Sequence, residues 1–270
     1  MAAVAEALLT LPTWQRRLAA LAGRPQLDPV TVQRLVFVAG LHDLGKINQG
    51  LQAKARADGS PTAGHVDEGA IFVLPAGDAL SRRLADAAGL TERAARWGSG
   101  LLPLLHAALS LHGAPIGAAP ASGASLWRDL PQHRPAAAIA ALAAALAAGL
   151  PRLDEAEAPG LPDDLRDGAP FVHAFAGLVM LADWIGSNRA VFPFRDKADG
   201  DRWPLARTAA AEALRAMGIA VAEGLRWPER PTDPQAFAPT WPESQQARAE
   251  KRGPRGSAWL PQVRIGLGEQ

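Results

Sequence analysis

The sequence predicts an all-α protein, a helical bundle followed by a C-terminal, mostly irregular extension. Three observations lead there. Apolar residues recur at three- and four-residue spacing through most of the chain, proline or a capping residue opens several of these runs, and strand signals are scarce. Helices are expected over residues 12–22, 29–44, 65–74, 91–97, 101–111, 135–150, 171–187 and 204–217. Residues 59–62, 113–125 and 154–170 are rich in Gly, Pro and charge and read as loops.

Each helix has a local reason. Asp28 and Pro29 form an N-cap and N1 pair, and Val32, Leu35, Val36, Ala39 and Leu41 follow at helical spacing. His42 and Asp43 are therefore expected on the last turn of a buried helix. The strongly apolar run 101–111 stops at Gly113, which suits a C′ position and leaves His112 in the turn. The Ala-rich run 135–150 is shorter than the roughly 20 residues needed to cross a bilayer, so it reads as a packing helix rather than a membrane span. Asp183 lies in the largely apolar run 171–187, where its unpaired burial would be costly, so it is expected to ligate a cation or join an ion pair. From about Gly200 the character changes to one helix and then Pro- and Trp-rich segments, Trp227-Pro228-Glu229-Arg230-Pro231 and residues 237–246. This divides the chain into a domain over 1–199 and an extension over 200–270.

Composition narrows the function. With 270 residues the chain can bury a sizeable core, and with no cysteine it has neither a disulfide framework nor a zinc–thiolate module, as suits a reducing cytoplasm. The N-terminus lacks the pattern of a signal peptide. A net charge of +1 provides no global basic surface, so nucleic-acid binding would rest on local arginines and on metal ions. There is no G-x-S-x-G elbow and no Walker A loop, hence no sign of a serine nucleophile or of an ATPase motor.

The chemistry concentrates in Gly40-Leu41-His42-Asp43-Leu44-Gly45-Lys46. A buried imidazole and carboxylate together are satisfied by a divalent cation, and Lys46, three residues after Asp43, would project from the same face toward a phosphate. A helix C-terminal cap with a salt bridge would use the same residues. His65, opening an apolar run, His112 and Asp183 could complete a site. His173, about three helical turns before Asp183, and His106, six residues before His112 on another side of the helix, read as core or interface histidines. His133, in a Pro-flanked polar loop, reads as solvated.

In this order, His42-Asp43, His65, His112 and Asp183 resemble the constellation of the HD metal-dependent phosphohydrolase superfamily. The run 41–52, the His65 segment, Leu111-His112-Gly113 and Leu181-Ala182-Asp183-Trp184-Ile185-Gly186-Ser187-Asn188 look more narrowly like the HD nuclease domain of the type I CRISPR helicase-nuclease, over roughly residues 1–195. The resemblance implies an HD-domain helical bundle binding two divalent transition metals (Mn, Co, Ni or Fe, with Mg as a further option). Asp43 would bridge them, His42 and Asp183 would hold one, and His65 and His112 the other. Lys46 would contact the scissile phosphate, with Ser187 also on the nucleic-acid side. The implied activity is endo- or exonucleolytic hydrolysis of single-stranded DNA in antiviral defence. The implied partners are a helicase and, through it, a CRISPR surveillance complex, with no membrane. The tail resembles the segment linking the HD domain to a helicase domain.

Two departures from the family pattern stand out: no histidine precedes His42, with Trp14 or Gln15 in its approximate place, and Leu111 replaces the first histidine of a His-His-Gly turn. Each removes a ligand, so one tight metal, at His42, Asp43 and Asp183, and one weak metal are expected. Two other readings use the same residues. One is an HD phosphohydrolase acting on nucleotides or cyclic nucleotides, and the other is a catalytically weakened HD scaffold that binds a partner.

Overall fold

The computed structural model describes residues 1–55, 61–73, 79–110, 116, 123–161, 169–193 and 202–219. These residues form helices α1 (Ala2–Leu9), α2 (Pro12–Leu21), α3 (Pro29–Gly40), α4 (Gln49–Ala53), α5 (Ala79–Ala87), α6 (Leu90–Trp97), α7 (Leu101–Leu109), α8 (Pro135–Ala148), α9 (Pro170–Gly186) and α10 (Arg202–Ala216). Short 3-10 turns lie at Leu44–Ile47, Asp67–Phe72 and Gly123–Trp127. Among the described residues there is no strand, only an isolated bridge between Leu130 and His133. None of the described helices is long and apolar enough to cross a membrane.

The central helix α3 begins as its sequence dictates. The Asp28 side chain accepts from the Thr31 amide at 2.8 Å and Pro29 opens the first turn. The helix is sheathed by α1, α7 and α8, while α9 packs on α1, α2 and α7. Leu35, Val36, Phe37, Val38 and Ala39 are all fully buried, and Phe37 meets Trp97 edge to face with centroids 5.8 Å apart. Gly40 ends α3 where α8 approaches closely, since a Cβ there would lie 2.6 Å from Leu146 Cδ2. The Ala-rich helix thereby packs against the start of the His-Asp segment.

Several expectations change in the structure. Helix α3 stops at Gly40, so His42 and Asp43 lie in the turn that follows it and not on its last turn. The chain tightens there, with the His42 amide donating to the Ala39 carbonyl three residues back. The 65–74 helix is the shorter 3-10 turn Asp67–Phe72, and α1, α4 and α5 form where no helix was expected. Helix α10 belongs to the compact unit Met1–Val221, packed on α1 through buried Ala210, Ala213 and Leu214, with a bidentate Arg207–Glu6 pair at 2.7 and 2.8 Å. The Trp227 and Phe237 segments, in the unit Ala222–Gln270, lie outside the described residues, as do Leu111, His112 and Gly113.

Candidate metal centre

The turn after α3 and the last turn of α9 bring three predicted ligands together. One donor atom each from His42, Asp43 and Asp183 lies within 4.8 Å of the others, the one such group among the described residues. His42 Nε2 stands 3.1 Å from Asp43 Oδ2 and 3.3 Å from Asp183 Oδ1. The His42 side chain is 7 % exposed, and those of Asp43 and Asp183 are 28 % and 20 % exposed.

The donor chemistry fits a divalent cation. Nδ1 of His42 lies 3.1 Å from the Ala39 carbonyl, an acceptor that places the ring proton on Nδ1. Nε2 then presents a lone pair to two carboxylate oxygens, and this buried atom has no hydrogen-bond partner of suitable direction. Three electron-pair donors facing one another repel unless a cation or a proton sits among them. The titration behaviour reports the same field. Burial pushes the imidazole pKa down, but Asp183 and Asp43 outweigh it and raise it above its ordinary value. Burial would raise the Asp43 carboxyl, yet the His42 ring and the Lys46 ammonium hold it well below the usual carboxylate range. The His42 ring likewise lowers Asp183 against the effect of burial, with help from the Ser187 hydroxyl.

The other predicted residues take different places. Lys46, on the 3-10 turn Leu44–Ile47, donates to Asp43 Oδ2 at 2.7 Å and is 46 % exposed, at the solvent edge of the site. Ser187 donates its hydroxyl to Asp183 Oδ1 at 3.2 Å, so in this structure it orients the carboxylate. His65 is outside the converging group, but its backbone lies against the same turn, where a Cβ on Gly45 would fall 1.8 Å from the His65 carbonyl oxygen. His173 is exposed on α9.

Neither Trp14 nor Gln15 enters the site: Trp14 packs against the core and Gln15 donates to the Leu9 carbonyl. The start of α1 borders it instead. A Cβ on Gly186 would meet Met1 Cα at 2.8 Å, and burial lowers the Met1 α-amino group while Asp183 and Asp43 act to raise it. Sequence reasoning missed this neighbour because the start of the chain shows no chemistry-bearing side chain. It also missed Trp184, 71 % exposed beside Asp183, because its apolar run reads as a buried face.

Comparison with known proteins identifies the family. Residues 1–192 match the family model described as Cas3, HD domain. The chain belongs to the Cas3 HD-domain family. The Thermus thermophilus Cas3 HD domain, crystallised in the presence of Ni2+, is 29 % identical, with 80 % of this chain and 81 % of that one covered at a TM-score of 0.53. A CRISPR-associated protein is 23 % identical over 85 % of this chain, at a TM-score of 0.55, and a CRISPR RNA-guided surveillance complex in a pre-nicking state is 20 % identical over 81 %, at 0.51. This chain spans 26 % of each of those two longer chains. No curated protein matches it.

Proposed function

We propose that this Cas3 HD domain is a divalent-metal-dependent nuclease that hydrolyses phosphodiester bonds of single-stranded DNA in type I CRISPR interference. The observation that carries the reading is the convergence of the His42 lone pair with the Asp43 and Asp183 carboxylates. These three would hold the tighter ion, and Asp43 with His65 and His112 would hold a weaker second one. When bound, such ions supply an activated water and neutralise the phosphate oxygens, so no protein nucleophile is needed. A manganese, cobalt, nickel or iron ion suits the mixed imidazole and carboxylate set.

The chain's own groups do the rest. Ala39 fixes the His42 tautomer, and Ser187 holds Asp183 in place on the side where the nucleic acid would pass. Lys46, paired with Asp43 at the solvent edge, would exchange that contact for a phosphate oxygen of the substrate. A helicase subunit or domain and, through it, a surveillance complex would deliver the single strand.

The test is cleavage of circular single-stranded DNA by protein stripped of metal and resupplied with manganese. Restored cutting, its loss in Asp43→Ala and resistance of blunt duplex are the expected results. Equal cutting by EDTA-treated protein or by Asp43→Ala would exclude the metal mechanism, and efficient unaided digestion of duplex would remove the helicase from it.

A further inference from the structure

Asn48 is fully buried beside the metal centre, and nothing in the cleavage chemistry uses it. Its single amide group joins three stretches of backbone. Nδ2 donates to the Gly45 carbonyl at 2.7 Å and to the Gly64 carbonyl at 2.8 Å, and Oδ1 accepts from the Leu51 amide at 2.9 Å. Gly45 is two residues after Asp43, and Gly64 is the residue before His65. One side chain therefore ties the segment that carries His42 and Asp43 to the one that carries His65. The contact it secures leaves no slack, since the Gly45 Cα abuts the His65 carbonyl closely enough to exclude even a methyl group.

The N-cap role of Asn48 on α4 does not account for this. Capping uses only Oδ1, and serine caps a helix about as well. Both Nδ2 donors are spent outside α4, and only a carboxamide offers an acceptor and two donors in one short planar group.

We propose that Asn48 is a positioning residue of the metal centre, its amide setting where His65 stands relative to Asp43 and hence how tightly the second cation is held. This rests on the two-metal reading above. Because Asn48 reaches the ion only through the backbone of its neighbours, its loss would weaken one site and spare the other. None of its three hydrogen bonds goes to the side chain of His42, Asp43 or Asp183.

The experiment is calorimetric titration of manganese into the metal-free full chain, comparing wild type, Asn48→Ser, His65→Ala and the double variant. Serine keeps the cap but cannot reach Gly64, so the variant should fold at a somewhat lower melting temperature, and metal affinity is read at a temperature where it is fully folded. In Asn48→Ser the first ion should bind as in wild type, and the second about 10- to 100-fold more weakly. In the His65→Ala background the same change should have no further effect, which a general loss of stability would not produce. Should Asn48→Ser not fold, Asn48→Thr keeps the cap with more volume and carries the same expectation. Two ions held by the serine or threonine variant as tightly as by wild type would overturn the role of Asn48. A wild-type isotherm with fewer than two ions would overturn the two-metal reading, and with it any second site for Asn48 to position.

Discussion

At the scale of single residues, Lys46 and Asp28 separate chemistry from folding. The Lys46–Asp43 pair is half exposed on the lysine side, and such a pair adds less than about 1 kcal/mol to stability. Lys46→Ala should thus leave the melting temperature and metal content nearly unchanged while slowing cleavage, whereas loss of fold would make the lysine structural. Asp28 is the opposite case. Burial acts to raise its carboxyl, but the hydroxyl and amide of Thr31 prevail and lower it. Asp28→Ala should cost about 1 kcal/mol at neutral pH. For a carboxylate lowered by folding, that contribution is present above its ordinary value of 3.8 and is lost as the pH falls through the lower folded value. Denaturant melts at pH 7 and pH 3 should show the wild-type advantage shrinking in acid. An advantage that grows in acid would reverse this assignment.

At the scale of elements, the site is a junction of turns held by close backbone approach. Gly45 and Gly64 lie on either side of the Asn48 amide and differ sharply in the space around them. A Cβ on Gly45 meets the His65 carbonyl, a backbone atom that cannot swing aside, while one on Gly64 meets nothing within 4 Å. Gly45→Ala should destabilise the protein by about 2–3 kcal/mol or displace the His65 segment, and Gly64→Ala should be nearly neutral. Chemical denaturation of the two variants checks the contrast, and equal effects would mean the turn yields. Nearby, α3 is anchored by buried Arg34, which donates to the carbonyls of Leu153, Pro159 and Glu155 and stacks on Trp97 at 5.3 Å. That arrangement ties the 153–159 loop to the helix that precedes the His-Asp turn.

At the scale of the whole molecule, the described bundle reaches beyond the 1–192 stretch that matches the family model. Helix α10 covers α1, and α1 in turn borders the metal centre through Met1. Burial of a side chain such as Leu214 contributes about 1.5–3 kcal/mol. A chain ending at residue 199 should therefore melt about 5–10 °C below one ending at 221 and bind manganese less tightly. Equal melting temperatures would show α10 to be dispensable for the bundle.

The sequence alone determined the all-α class, most helix positions and the candidate group His42, Asp43 and Asp183, because helical periodicity and costly ionisable groups in apolar runs are local signals. Asp28-Pro29 and the proline starts of α2 and α8 are legible for the same reason. Tertiary structure decided where α3 ends, because the close approach of Leu146 at Gly40 is a contact across more than 100 residues of chain. It also decided that α1 borders the site in place of Trp14 or Gln15, and that Ser187 serves Asp183 as a hydrogen-bond donor. Nothing in the sequence singles out Asn48, since even the helix it caps, α4, was not expected. Its two donors find their purpose only when Gly64, distant along the chain, folds back against Gly45, and no local pattern records a hydrogen bond whose partner arrives by folding.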